Sequence, residues 1–136
     1  MEIKETEHNG FKFYYYKSDN MAMNSIDKQC IWEPHILKFV AKLGSLKNII
    51  DIGANFGYHS IMLSKYVENF VYAFEPQIQN YELLKRNKEV NELDKIIIFN
   101  EACGSENTHV YMPVIANNAT NVNMGDFTPN TGCIHM

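Results

Sequence analysis

The sequence predicts an α/β domain in which three parallel strands lie in the order 3-2-1 and helices flank the sheet. Residues 49–58, Ile-Ile-Asp-Ile-Gly-Ala-Asn-Phe-Gly-Tyr, read as a buried strand running into a glycine-bearing turn and then a helix. Residues 70–76, Phe-Val-Tyr-Ala-Phe-Glu-Pro, form a second apolar run that ends in a carboxylate. Residues 95–99 supply a third, Ile-rich run, and segments of helical period separate the three.

Taken in order, residues 11–16 (Phe-Lys-Phe-Tyr-Tyr-Tyr) suit a strand packed on the domain's flank better than an aromatic cage around a cofactor. Between Pro34 and Leu43 the residues Ile36, Leu37, Phe39, Val40 and Leu43 recur at helical spacing, and Gly44 gives a stop. This helix is expected to cover one face of the sheet. Strand one takes Asn48 to Ile52, and a helix from Gly57 to Tyr66 buries Ile61, Met62 and Leu63, its free N-terminal amides facing a ligand. Strand two runs from Phe70 to Glu75. Pro76 opens the next helix, where Tyr81, Leu83, Leu84 and Val90 alternate with Lys85, Arg86, Lys88 and Glu89. Strand three is Lys95 to Phe99, expected to be buried on both faces. Two right-handed strand-helix-strand units give the order 3-2-1. His109 to Val114 reads as a short strand, and from Asn117 to Met136 the Asn-rich tail predicts loop or disorder. The organisation is an N-terminal strand and lead-in over 1–33, a cofactor core over 34–115 and a tail over 116–136.

With 136 residues the chain suits one domain, small for a complete doubly wound sheet. Twelve Lys and Arg against sixteen Asp and Glu give a net charge of -4 with no basic cluster, which argues against nucleic acid as a partner. Cys30, Cys103 and Cys133 form no CxxC or Cys/His cluster, so neither a disulfide framework nor a metal site is expected. The charged N-terminus and the absence of a long apolar run predict a cytoplasmic protein without a membrane partner.

The chemistry concentrates at the first turn. A dinucleotide fingerprint needs G-x-G-x-x-G, but here Asn55 stands at the second glycine. Asp51 places negative charge at the strand's carboxyl end, disfavouring a diphosphate and favouring a cationic group. S-adenosylmethionine (SAM), with an ammonium and a sulfonium, fits. Glu75 at the tip of strand two is placed to accept both ribose hydroxyls, a device that NAD and SAM sites share. Gly53 and Gly57 supply turn geometry and close backbone approach, with Ala54 between them and Pro76 behind Glu75. Asn55 and Tyr58 either line the pocket or serve the turn and packing. No catalytic residue is assigned: His59 sits on a helix, and Cys103 lies in a small-residue turn with nothing basic adjoining.

Asp51-Ile-Gly-Ala-Asn-Phe-Gly-Tyr58, Ala73-Phe-Glu-Pro76, Tyr81-Glu-Leu-Leu-Lys-Arg-Asn87 and Asn100-Glu-Ala-Cys-Gly104 resemble, in order and spacing, successive blocks of the FkbM-type SAM-dependent methyltransferases. Trp32-Glu33-Pro34 is similar to that family's lead-in segment, so the resemblance spans roughly residues 30–115. It implies a Rossmann-like SAM-dependent methyltransferase fold and O-methyl transfer to a small-molecule or glycan-type hydroxyl. It also sets Glu101 near the adenine, where it either accepts from the amino group or is a solvated loop carboxylate. The family continues into a fourth strand resembling Leu-Lys-Ile-Asp-Val-Glu-Gly, and this chain stops before it. The fold is therefore expected to be truncated, with strand one as an open edge that invites a second copy or a partner chain. A non-catalytic SAM-binding remnant is the alternative to an active enzyme.

Overall fold

The computed structural model describes residues 2–109 and 111–112. The chain begins with an antiparallel hairpin, β1 (Ile3–His8) and β2 (Phe11–Tyr16). Its two-residue loop is Asn9-Gly10, both at positive φ (51° and 81°), the backbone that a tight hairpin turn requires. A short α1 (Asn20–Ser25) and α2 (Pro34–Leu43) lead to β3 (Leu46–Ile52). Then come α3 (Tyr58–Leu63) with a 3-10 turn (Ser64–Tyr66), β4 (Val67–Phe74), α4 (Ile78–Val90) and β5 (Ile96–Phe99).

β3, β4 and β5 form a parallel sheet in the order β3-β4-β5, so predicted strands one, two and three appear in the expected order. Gly44 ends α2 at φ 80°, as expected. α4 starts later than Pro76: Gln77 is its cap, its side chain accepting from the Gln79 amide. His109, Tyr111 and Met112 belong to no strand, and the rest of the expected strand and the tail lie outside the described residues.

The core joins one face of the sheet to α3, α4 and the hairpin. Val71, Ala73 and Ile96 pack with Ile61, Met62, Leu83 and Leu84, while Phe13, Tyr15, Phe56 and Tyr58 join their rings beside them. The opposite face carries Ile50 and Ile52, which are 66% and 64% exposed, next to Tyr72 and Phe74 on β4. Burial on both faces was expected of β5, yet among its residues only Ile96 is buried, because the described helices lie on one side. α2 packs chiefly on α3 rather than on the sheet, burying Leu37 and Val40 and leaving Phe39 and Leu43 exposed.

α4 differs from its apolar reading in an instructive way. Its buried residues are Asn80, Leu83, Leu84 and Asn87, while Val90 is exposed. Asn87 and Asn91, one turn apart, meet the free edge of β2. Asn87 Oδ1 accepts from the Tyr14 amide (2.6 Å) and its Nδ2 donates to the Tyr14 carbonyl (2.9 Å). Asn91 repeats the pattern on Lys12 at 2.8 and 2.7 Å. Side-chain amides thus stand in for a neighbouring strand and satisfy backbone groups that would otherwise be left open.

Gly57 shows how tightly α4 closes on the first turn. Its φ is 91°, and a Cβ there would lie 2.5 Å from Leu84 Cδ1. Gly57→Ala therefore meets both backbone strain and a core clash, and should cost roughly 1–3 kcal/mol in urea unfolding. An unchanged midpoint would contradict this packing.

Candidate functional site

The turn between β3 and α3 is closed by its own bonds. The Gly53 and Ala54 amides both donate to the Phe74 carbonyl (2.9 and 3.0 Å), and the Gly57 amide donates to the Ala54 carbonyl (2.8 Å). Asn55, at φ 54°, donates its amide to Glu75 Oε2 (2.8 Å), while its own Oδ1 accepts from the Phe56 amide (2.8 Å). All five N–H groups from Gly53 to Gly57 are thus engaged within the protein. Such a turn has no free row of amides with which to cradle a diphosphate.

Two carboxylates stand at this end of the sheet. Asp51 Oδ2 accepts from the Ser60 hydroxyl (2.6 Å), which fixes the carboxylate against α3 and leaves it partly exposed. Glu75 is buried, one oxygen taking the Asn55 amide and the other the Gln77 amide (2.8 Å). Burial raises its carboxyl pKa above the ordinary range; the Gln77 and Asn55 amides oppose that shift, and the Asp51 charge adds to it. Asn100 Nδ2 donates to the carbonyls of Glu75 (2.8 Å) and Pro76 (3.1 Å), tying the end of β5 to the same corner.

Beside this corner is a cavity of about 680 Å³ whose lining includes Pro76, Gln77, Ile78, Asn100, Glu101 and Cys103. Pro76 and Glu101 therefore share one hollow, whereas Asp51, Gly53, Ala54, Asn55 and Gly57 lie outside its lining. Glu75 links the two groups through Asn55 and Gln77. Tyr58 is the exception among the expected site residues. It is buried, its ring packs on His8 and Phe13, and its hydroxyl accepts from the Trp32 amide (3.1 Å) and lies 3.2 Å from His8 Nε2. That ring belongs to the core and does not line the pocket. His59 Nε2 lies 3.6 Å from Glu33 Oε2, an ion pair only when the ring is protonated.

Gln77 was missed in the sequence, and Asn87 and Asn100 were quoted only as members of family-like blocks, without the bonds they make here. Asn80, Asn87 and Asn91 recur at spacings of seven and four on one face of α4, a periodic polar signal that an apolar count passes over. Among the described residues no cluster of His, Cys, Asp and Glu could hold a metal ion, and no helix is long and apolar enough to cross a membrane.

Solved structures share this fold. TYW2 of P. horikoshii, in complex with MeSAdo, matches with a TM-score of 0.53 and 18% identity over 74% of this chain and 36% of that one. The AdoMet complex of M. jannaschii TYW2 matches at 0.50 and 23% over 71% and 42%. A Pyrococcus abyssi tRNA (uracil-54, C5)-methyltransferase in complex with S-adenosyl-L-homocysteine matches at 0.52 and 19% over 73% and 24%. The fold is the Rossmann-like fold of SAM-dependent methyltransferases. The chain spans less than half the length of each of these proteins. No protein-family model matches it, nor does any curated protein. One expectation is overturned: nucleic acid was set aside on net charge, yet a protein with this fold is a tRNA methyltransferase. The compared region spans only 24% of that protein, so the charge of such a core is no guide to the substrate.

Because the folded Glu75 carboxyl holds its proton to higher pH than the unfolded one, the native state binds more protons between the two pKa values. Stability should therefore fall as pH rises from the ordinary carboxylate range through the raised value. Thermal midpoints measured across pH 4 to 7, a span of about three units around that range, should show this fall, and Glu75→Gln should flatten it. An identical slope in the variant would contradict the assignment.

Proposed function

We propose that this chain is the cofactor-binding part of a SAM-dependent methyltransferase of FkbM type, acting by O-methyl transfer. The observation that carries the proposal is the closed turn beneath a carboxylate. With its five amides already engaged and Asp51 at the strand end, the site favours a cationic ligand group over a diphosphate, which separates SAM from NAD. In this reading Asp51 faces the amino-acid end of SAM, and Gly53, Ala54, Asn55 and Gly57 shape the turn beside it. Glu75 accepts the ribose hydroxyls on lone pairs not used by Asn55, Gln77 and the Asn80 side chain, while Pro76 and Glu101 border the adenine side of the cavity. When bound, SAM supplies an electrophilic methyl on a sulfonium. The described residues hold and orient the cofactor, and the groups that would align an acceptor oxygen are not assigned among them.

A second reading is a SAM-binding module that needs further chain to complete its sheet. It is favoured by the outer edge of β3, unpaired among the described strands, and by the exposed Ile50 and Ile52 beside it. Methylated product formed by the purified chain alone on a hydroxyl acceptor would exclude this reading.

Isothermal titration tests the shared element. SAM should bind the wild-type chain, and Asp51→Ala and Glu75→Ala should each weaken binding by about tenfold or more. Equal heats in all three would contradict the site, as would NADH binding tighter than SAM.

A further inference from the structure

We infer that Asn87 is a positioning residue for the cofactor turn, and that through its one side-chain amide the docked N-terminal hairpin helps to set the turn's geometry. The inference rests on reading that turn as the cofactor site. Asn87 is fully buried on α4. Besides its two bonds to Tyr14 of β2, its Nδ2 donates to the Phe56 carbonyl at 2.8 Å. Both donors of the amide are thus committed, one to the hairpin and one to the turn.

Phe56 sits between Asn55 and Gly57, both at positive φ, so its peptide groups take the sharpest part of the turn. Its amide is held by Asn55 Oδ1 and its carbonyl by Asn87 Nδ2. Without the second bond, a buried carbonyl loses its partner between two residues at positive φ, and the turn is free to relax. Asn91 provides an internal comparison. It makes the same paired contact with the hairpin at Lys12, but its remaining bond goes to the Asn87 carbonyl of its own helix. Asn91 therefore reports on hairpin docking alone, and Asn87 on docking and turn together. Tyr58 makes a second link of the same sense, its hydroxyl meeting His8 at the hairpin's tip just after Gly57. Removing either half of the Asn87 contact should be felt by the other, since coupling between two sites is reciprocal.

The test is SAM titration calorimetry on wild type, Asn87→Ala and Asn91→Ala, with hydrogen exchange of the amides of residues 53–58 on the same samples. Circular dichroism confirms that each is folded, and Asn87→Ser, too short to span both partners, replaces Asn87→Ala should that variant not fold. Asn91→Ala should keep SAM affinity within about twofold and leave turn exchange unchanged, whereas the Asn87 variant should lose about tenfold in affinity and exchange faster at the turn. Equal effects in the two positions, or wild-type exchange at the turn of the Asn87 variant, would overturn the inference. A wild-type chain that gives no heat with SAM would count against the cofactor reading instead, and the exchange data would still decide whether Asn87 holds the turn.

Discussion

The buried carboxylate of Glu75 is the point on which this structure turns. It lies at the end of the central strand, where one oxygen holds the Asn55 amide of the β3–α3 turn and the other holds the Gln77 amide at the start of α4. Strand, turn and helix are therefore fixed relative to one another by a single side chain. An apolar residue could fill that space but could not satisfy two backbone donors at once. The arrangement costs desolvation of a carboxylate, seen in its raised pKa, and in return it presets the turn before any ligand arrives.

The same logic recurs one layer out. The hairpin is joined to the domain by aromatic packing and by the paired amides of Asn87 and Asn91 on the edge of β2. Apolar packing alone would leave the edge groups of Lys12 and Tyr14 exposed to pairing with other chains, and would tolerate sliding of the hairpin along α4. Bidentate amide contacts fix the register. They also bring the hairpin into contact with the β3–α3 turn through Asn87, and Tyr58, which directly follows that turn, meets His8 of the hairpin.

The central strands and their order were legible because each is a largely apolar run, although one face of the sheet is exposed among the described residues, and the Gly-bearing turn and Glu75 mark where they end. Parts held together by polar contacts were less so. β1, Ile-Lys-Glu-Thr-Glu-His, has no strand-like apolar alternation and is a strand because β2 pairs with it; Asn9-Gly10 was the available hairpin signal. The buried face of α4 was misjudged because two of its four buried residues are asparagines. For Tyr58 the position after Gly57 left pocket lining and packing both open, and in the fold its ring packs in the hairpin core. Net charge was no guide to nucleic acid, since a tRNA methyltransferase shares this fold.

The most direct test of the central claim is amide NMR of the chain titrated with SAM. The account predicts that the amides of Gly53, Ala54, Asn55, Gly57 and Gln77 shift together along one saturating curve, since all are held by Glu75 or the turn it closes. Saturable shifts confined to the hairpin or to the exposed sheet face, with the turn unmoved, would contradict it.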